Sequence, residues 1–118
     1  MTETLETLAR GYFERVRAKD AAGVAARFAP DGWLRLPNGK EVSGRSAIEA
    51  YYRKVLELAS PNPAVRAVIT EGRRCVVEIH AHRPDGTPVP CADIFTFDEA
   101  GQVTDLTIYT VAPPEAGR

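Results

Sequence analysis

The stretch Cys91-Ala92-Asp93-Ile94-Phe95-Thr96-Phe97, followed by the turn Asp98-Glu99-Ala100-Gly101, decides the fold of this chain. Side chains alternate between the two faces of a β-strand, so Asp93 lies on the same face as Phe95 and Phe97. A carboxyl group on such an apolar face must either pair with a cation or raise its pKa and stay protonated. The stretch therefore predicts a buried strand with either an ion-paired aspartate or a neutral acid that can donate a hydrogen bond.

Alternating runs in the second half of the chain predict a sheet around that strand. The runs cover residues 65–71, 73–83, 89–97 and 103–111. Asp85-Gly86 predicts a two-residue hairpin, so the last three strands form an antiparallel meander. In that register Glu78 lies opposite Asp93, and His80 lies opposite Cys91. The sequence therefore predicts that Glu78, His80 and Asp93 share one face of the sheet.

The first half of the chain shows helical spacing instead. The apolar residues that predict a first helix are Leu5, Leu8, Tyr12 and Val16. Asp20 is predicted to cap a short second helix that carries Val24 and Phe28. Because proline and glycine do not continue a helix, Pro30-Asp31-Gly32 is expected to end it.

A third helix is predicted after a brief strand at residues 33–36 and a turn at residues 37–40. The segment Ser43-Gly44-Arg45-Ser46, with Glu49 three residues further on, resembles a capping box. The buried stripe of this helix is formed by Ile48, Tyr52 and Val55, and the prolines that break it are Pro61 and Pro63.

Composition bounds the class of protein. With 118 residues, 44% hydrophobic and 26% charged, the chain fits one domain, predicted at residues 1–111 with a loose tail at 112–118. The net charge of −1 and the absence of a basic patch argue against nucleic acid or a membrane surface as partner. The N-terminus has no apolar signal core, so a cytoplasmic location is expected. Cys75 and Cys91 are predicted to be free thiols inside strands.

Three short segments, in this order along the chain, resemble the pattern of a known superfamily. They are Phe28-Ala29-Pro30-Asp31-Gly32, then Gly44-Arg45-Ser46-Ala47-Ile48 with Tyr51-Tyr52, then Asp93-Ile94-Phe95-Thr96-Phe97-Asp98 before Gly101. This pattern resembles the nuclear transport factor 2 and SnoaL-like superfamily over nearly the whole chain. The resemblance implies a cone-shaped α+β fold, in which N-terminal helices pack in the concave face of a curved, mostly antiparallel sheet.

Within that superfamily the chain resembles the bacterial Δ5-3-ketosteroid isomerases, which need no cofactor. The resemblance implies that Tyr12 donates a hydrogen bond to the steroid 3-oxygen and that Asp93 is the protonated acid beside it. Tyr52 matches the tyrosine that supports the first through its hydroxyl. Together the three would form an oxyanion hole that polarises a carbonyl of a steroid-like or polycyclic ligand.

The general base of those isomerases is an aspartate immediately before a proline, and the matching pair here is Leu36-Pro37. Loss of a positioned base typically removes roughly 10²–10⁴ of rate. Three alternatives remain: another group replaces the base, the oxyanion hole serves a different substrate, or the cavity only binds. Glu78 and His80 are the replacement candidates, because the predicted register places them on the face of Asp93.

The remaining expectations concern the ligand pocket and the partner. A small hydrophobic ligand is expected, and the predicted pocket walls are Phe28, Trp33, Leu34, Leu36, Phe95, Leu106 and Ile108. The other face of the sheet is too apolar to leave in water, so a homodimer through the outer sheet face is expected. The residues assigned to that face are Val77, Ile79, Ala92, Ile94, Thr107 and Tyr109.

Rival functions remain open at this stage. Polyketide-cyclase-like and limonene-epoxide-hydrolase-like enzymes belong to the same superfamily, as do non-catalytic modules that bind small hydrophobic ligands. His80-Ala81-His82, with Glu78 or Asp85, has a spacing that some metal sites use. His82 lies at the predicted hairpin tip, where solvated histidines are ordinary, so no metal is predicted. An isomerase-like enzyme is the preferred interpretation.

Overall fold

The computed structural model describes residues 4–58, 63–82 and 85–111, which form three helices and one six-stranded sheet. In chain order the elements are α1 (Leu5–Arg17), α2 (Ala21–Ala25), β1 (Phe28–Arg35), β2 (Glu41–Ser43), α3 (Arg45–Leu58), β3 (Ala64–Glu71), β4 (Arg74–His82), β5 (Pro88–Phe97) and β6 (Val103–Thr110). None of the described helices is long and apolar enough to cross a membrane. The predicted tail at 112–118 and Pro61 lie outside the described residues.

The strands are ordered β2-β1-β6-β5-β4-β3, and every neighbouring pair is antiparallel except β1 and β6, which run parallel. The helices pack on one face of this curved sheet, and their buried residues join the inward residues of the strands in one core. The largest fully buried side chains include Phe13, Phe28, Leu34, Phe95 and Leu106. The predicted α+β fold with a mostly antiparallel sheet is confirmed.

Side-chain caps begin both N-terminal helices, and the cap at Asp20 is the one that the sequence predicts. Thr4 caps α1 and accepts a hydrogen bond from the backbone N–H of Thr7. Asp20 caps α2, and its carboxylate accepts from the backbone N–H of Gly23 at 2.9 Å. These side chains satisfy backbone donors that the first helical turn leaves unpaired.

The second helix is shorter than the sequence predicts. α2 ends at Ala25, and Phe28 begins β1 instead of closing the helix. The segment Pro30-Asp31-Gly32 lies inside β1, where the pairing with β6 shifts register between Phe28 and Trp33. Such an irregularity accommodates a proline that cannot donate to a strand ladder. At Gly32 an added Cβ would stand 2.9 Å from the carbonyl oxygen of Val103, so glycine permits the close approach of the two backbones.

The start of α3 also differs from the predicted capping box. The helix already includes Arg45, so Ser46 lies within its first turn and cannot be its N-cap. Glu49 pairs with Arg53 one turn later instead of reaching back to a backbone N–H. The Arg45 guanidinium attaches the start of α3 to β1, because it donates two hydrogen bonds to the Phe28 carbonyl oxygen, at 3.0 and 2.6 Å.

The hairpin between β4 and β5 is in a different register from the predicted one. His82 pairs with Pro88, Val77 with Asp93 and Glu78 with Ala92. β4 ends at His82 and β5 begins at Pro88, so the strands are not joined by a two-residue turn. Asp85 accepts a hydrogen bond from the backbone N–H of Thr87, so its side chain closes a turn just before β5. A one-residue slip moves every side chain to the opposite face. The predicted shared face of Glu78, His80 and Asp93 is therefore wrong.

Candidate functional site

Three elements bring Tyr12, Tyr52 and Asp93 to one cavity. Tyr12 comes from the buried face of α1, Tyr52 from that of α3, and Asp93 from the inward face of β5. The cavity has a volume of about 140 Å³ and is open on one side. Its other described lining residues are Phe13, Val16, Tyr51, Val55, Leu56, Pro63, Ile79, Ala81 and Ile108.

The two tyrosines form a hydrogen-bonded pair. The hydroxyl groups of Tyr12 and Tyr52 bond to each other, and both side chains are buried. Either hydroxyl can be the donor. When Tyr52 donates, the Tyr12 hydrogen is free to point at a ligand in the cavity. Burial raises the pKa of both phenols well above the ordinary value, so both stay protonated and remain donors at neutral pH.

Packing fixes the Tyr12 ring. It makes edge-to-face contacts with Phe13, Phe95 and Tyr52, with ring centroids at 4.9, 5.2 and 6.2 Å respectively. Aromatic pairs in this geometry add to the stabilisation that burial alone gives. The Tyr12 hydroxyl is therefore held in place by neighbours on both the helix side and the sheet side.

Asp93 is a buried acid with apolar neighbours. Its side chain is only 2% exposed, and its Cα partners on the adjacent strands are Val77 and Ile108. Among the described residues no cation pairs with it, and its Oδ1 atom has no hydrogen-bond partner. Burial raises the pKa of Asp93 from 3.8 to about 7. Of the two interpretations of its sequence position, the ion-paired structural aspartate is excluded for the described residues.

The acid and the phenols interact electrostatically. A negative charge on Asp93 raises the pKa of Tyr12 and of Tyr52, as two acidic groups in one low-dielectric site must. A neutral carboxyl and a neutral phenol in the same apolar cavity are both hydrogen-bond donors. Such an arrangement is suited to an oxygen atom that carries full or partial negative charge.

The structure separates Glu78 and His80 from this site. Both lie on the outer face of β4, where Glu78 pairs with Ala92 and Ala67 and His80 pairs with Pro90 and Ala64. Neither residue is among those that line the cavity. The prediction that they replace the missing base beside Asp93 is not supported by their placement. Within the described residues no cluster of three histidines, cysteines or carboxylates is arranged to hold a metal ion.

The cavity walls also differ from the expected set. Ile108 lines the cavity, but Phe28, Leu34, Phe95 and Leu106 are completely buried in the core. Trp33 lies on the outer face of β1, 37% exposed, with the Arg35 guanidinium 5.3 Å from its ring. Leu36 is half-buried, packs against the core and is not among the lining residues.

Sequence reasoning missed several of the residues that do line the cavity. Val16 and Val55 are recognisable as inward positions of their helices, but nothing in the spacing distinguishes a cavity wall from solid core. Ile79 was assigned to the outer face because the hairpin register was wrong by one residue. Tyr51 is half-buried beside Tyr52, with ring centroids 5.2 Å apart, and burial raises its pKa as well.

Comparison with known proteins agrees with this architecture. A family model described as a SnoaL-like domain matches residues 9–106. The steroid Delta-isomerase of Nocardioides simplex is 29% identical over 115 residues, covering 92% of this chain and 91% of that protein. A solved NTF2-like protein of unknown function from Cytophaga hutchinsonii has a TM-score of 0.78 at 14% identity, covering 98% of this chain and 96% of the other. The epoxide hydrolase/cyclase-like enzyme SalBIII, which has a role in pyran ring formation in the polyether salinomycin, has a TM-score of 0.79 at 17% identity. The match covers 91% of this chain and 90% of that chain.

Proposed function

The chain belongs to the SnoaL-like domain family, and on this basis we propose that its cavity binds a small hydrophobic molecule through one ligand oxygen. Tyr12 and Asp93 both donate hydrogen bonds to that oxygen, and Tyr52 supports Tyr12. The oxygen is a carbonyl that gains negative charge as it enolises, or a phenolate that carries the charge already. This assignment makes the protein isomerase-like in its binding chemistry.

The observation that carries the proposal is the buried, unpaired carboxyl group of Asp93 beside a hydrogen-bonded tyrosine pair. A buried polar atom without a partner is destabilising, and native proteins retain few of them. A ligand oxygen between Asp93 and Tyr12 would satisfy Oδ1 and use both donors at once. Negative charge on that oxygen would also raise the pKa of Asp93 further, so the bound ligand favours the protonated, donating form of the acid.

The residues available as a general base determine the expected rate of isomerisation. Asp93 is the only carboxylate among the described residues that line the cavity, and position 36 is a leucine. If Asp93 donates a hydrogen bond, no described cavity residue is left to carry a proton between two carbons in the way an aspartate does. Isomerisation is therefore expected to be slower than with a positioned base by roughly 10²–10⁴, while binding of an oxyanion is retained.

The test is a titration with two phenols of different size, a nitrophenol and a steroidal phenol, while absorption reports their ionisation. We expect at least one of them to bind and to be more ionised in the cavity than in water. Conversion of a Δ5-3-ketosteroid is measured in parallel. Binding with weak or no turnover fits a cavity without a base, and failure of both phenols to bind would rule the proposal out.

A cyclase-like enzyme is the second candidate, and SalBIII is the observation that favours it. Acid–base chemistry on a ring precursor would use Asp93 as the acid, since His80 lies on the outer face. A non-catalytic binding module is the third candidate. Turnover separates them: an enzyme loses rate as well as affinity when Tyr12 or Asp93 is replaced, whereas a binding module has no rate to lose.

We further propose that the protein is a homodimer through the outer face of the sheet. Large apolar side chains are exposed there, including Trp33 at 37%, Ile69 at 67% and Tyr109 at 57%. Val77 and Ile79, which the sequence assigned to this face, lie on the inner face instead. The outer face is therefore less apolar than predicted, but its central part still holds Ala92, Ile94 and Tyr109.

Analytical ultracentrifugation tests the dimer. We expect the native protein to sediment as a dimer, and Tyr109→Glu to shift it towards monomer because a buried unpaired carboxylate destabilises an interface. Ala50→Glu is the matched control, since it adds the same charge to an exposed position on α3. A native protein that sediments as a monomer throughout the micromolar range would contradict this proposal.

A further inference from the structure

The size of the cavity restricts the ligand more tightly than the chemistry of its donors does. Its volume is about 140 Å³. An apolar cavity of about 150 Å³ accepts one benzene ring. Sites for drug-sized ligands usually have about 300–1,000 Å³. The space beside Tyr12 and Asp93 therefore matches a single six-membered ring.

The inner walls of the cavity are tightly packed, which keeps its volume close to this value. Tyr12 is held by three aromatic neighbours and by its bond to Tyr52. Val16 and Leu56 are 6% and 3% exposed, so they are packed on their other sides as well. Ile79 belongs to β4, which is paired along its length with β3 and β5. Side chains packed to this extent cannot move aside without loss of contacts.

The cavity does not widen towards β1. The residues that would have extended it in that direction, Phe28 and Leu34, are completely buried in the core. Leu36 packs against the same core and does not line the cavity. The half-buried residues at its open border are Tyr51 and Val55, one helical turn apart on α3, together with Ala81 and Ile108 on the sheet. Rings beyond the first would have to pass this border.

We infer that the site takes a monocyclic ligand, a substituted phenol or a conjugated six-membered cyclic ketone, with its oxygen between Tyr12 and Asp93. This inference rests on the proposed function for the polar end of the ligand and on the cavity volume for its size. Tyr51 and Val55 then determine specificity, because they exclude additional rings at the border of the cavity. A four-ring steroid is too large for the space that these walls enclose.

Calorimetric titration with p-cresol, 2-naphthol and a steroidal phenol tests the inference. Complete burial of three additional rings would raise affinity by roughly 100-fold or more. We expect no such gain: p-cresol binds at least as tightly as the steroidal phenol to the native protein. Val55→Ala is expected to raise affinity for 2-naphthol about fivefold or more, because removal of two methyl groups widens the border. Ile69→Ala, on the outer face, is the matched control and is expected to change the affinity neither for p-cresol nor for 2-naphthol.

The outcomes separate the two proposals. A steroidal phenol that binds the native protein tenfold more tightly than p-cresol overturns the size inference, and leaves the donor pair in place if Tyr12→Phe weakens that binding. An unchanged 2-naphthol affinity in folded Val55→Ala overturns the specificity role of the border. Failure of all three phenols to bind overturns both the size inference and the proposed function. Folding of each variant is checked by circular dichroism before titration.

Discussion

Asp93→Asn is expected to stabilise the protein at pH 8 by about 2–4 kcal/mol in the free energy of unfolding, and to leave it nearly unchanged at pH 4. Burial raises the pKa of Asp93 from 3.8 to about 7, with no cation among the described residues to offset the charge. A shift of this size corresponds to roughly 4 kcal/mol between the two protonation states. The amide cannot ionise, so the variant does not carry that penalty.

The direction of the pH dependence follows from where the proton binds. Between pH 3.8 and about 7 the folded protein holds a proton on Asp93 that the unfolded chain has lost. The contribution of this group to stability is therefore fully present below pH 3.8, declines as the pH rises towards about 7, and levels off above that value. The amide is itself buried and must find a partner, which reduces the net gain at pH 8.

Urea denaturation of the native protein and of Asp93→Asn at pH 4, 5.5, 7 and 8 measures the effect. The difference between the two proteins removes the contributions of all other titrating groups. Asp31→Asn, which replaces an exposed carboxylate on β1, is the matched control and is expected to follow the native protein. A stability difference between native and Asp93→Asn that stays constant from pH 4 to pH 8 would contradict a raised pKa for Asp93.

A residue that destabilises the fold at neutral pH needs an explanation outside the fold. Asparagine or leucine at this position would fill similar space without the penalty of an ionisable group. Perturbed acids of this kind are concentrated at functional sites, although structural ion pairs can also produce them. No ion pair among the described residues involves Asp93, so the functional explanation is favoured. The expected gain on Asp93→Asn is then a stability gain made at the expense of ligand binding.

The sequence predicted the parts of the fold that depend on local periodicity. Leu5 to Val16 repeat at helical spacing, and α1 spans Leu5–Arg17. Asp20 caps α2, and the alternating runs of the second half became β3 to β6 with ends within one or two residues. The inward direction of Asp93 followed from strand parity alone and is confirmed by its 2% exposure.

What failed depended on interactions between segments. Phe28 continued the helical spacing of Val24, but its pairing with Val103 across the sheet makes it part of β1. Asp85-Gly86 is a strong signal for a two-residue hairpin, but β4 ends at His82 and β5 begins at Pro88, and the Asp85 side chain accepts a hydrogen bond from the backbone N–H of Thr87. That single-residue difference in register moved Glu78 and His80 away from Asp93. Spacing along the chain carries no information of this kind, because both registers satisfy the same alternation.

Tyr12→Phe is expected to weaken binding of a phenolate by roughly 10- to 100-fold, since a hydrogen bond to a charged group contributes about 1.5–3 kcal/mol. The ring stays in place because Phe13 and Phe95 hold it by its edges and face, and only the hydroxyl is lost. Tyr52→Phe is expected to have a smaller effect, because Tyr52 contacts the ligand oxygen only through Tyr12. Tyr109→Phe removes an exposed hydroxyl from the outer face and serves as the matched control.

The pH dependence of binding distinguishes a donor from a residue that merely fills space. If Asp93 donates a hydrogen bond to the bound oxygen, affinity calculated from the concentration of free phenolate falls about tenfold per pH unit once the pH exceeds the pKa of Asp93 in the free protein, because Asp93 must first be reprotonated. Tyr12→Phe is expected to keep this slope at lower affinity, whereas Asp93→Asn is expected to lose the slope. Absorption titrations between pH 6 and pH 9 measure both quantities. Equal slopes in the native protein and Asp93→Asn would show that the acid does not face the ligand oxygen. A Tyr12→Phe affinity within about twofold of native would show that the Tyr12 hydroxyl does not bind the ligand oxygen, because a lost charge-assisted bond cannot be that weak.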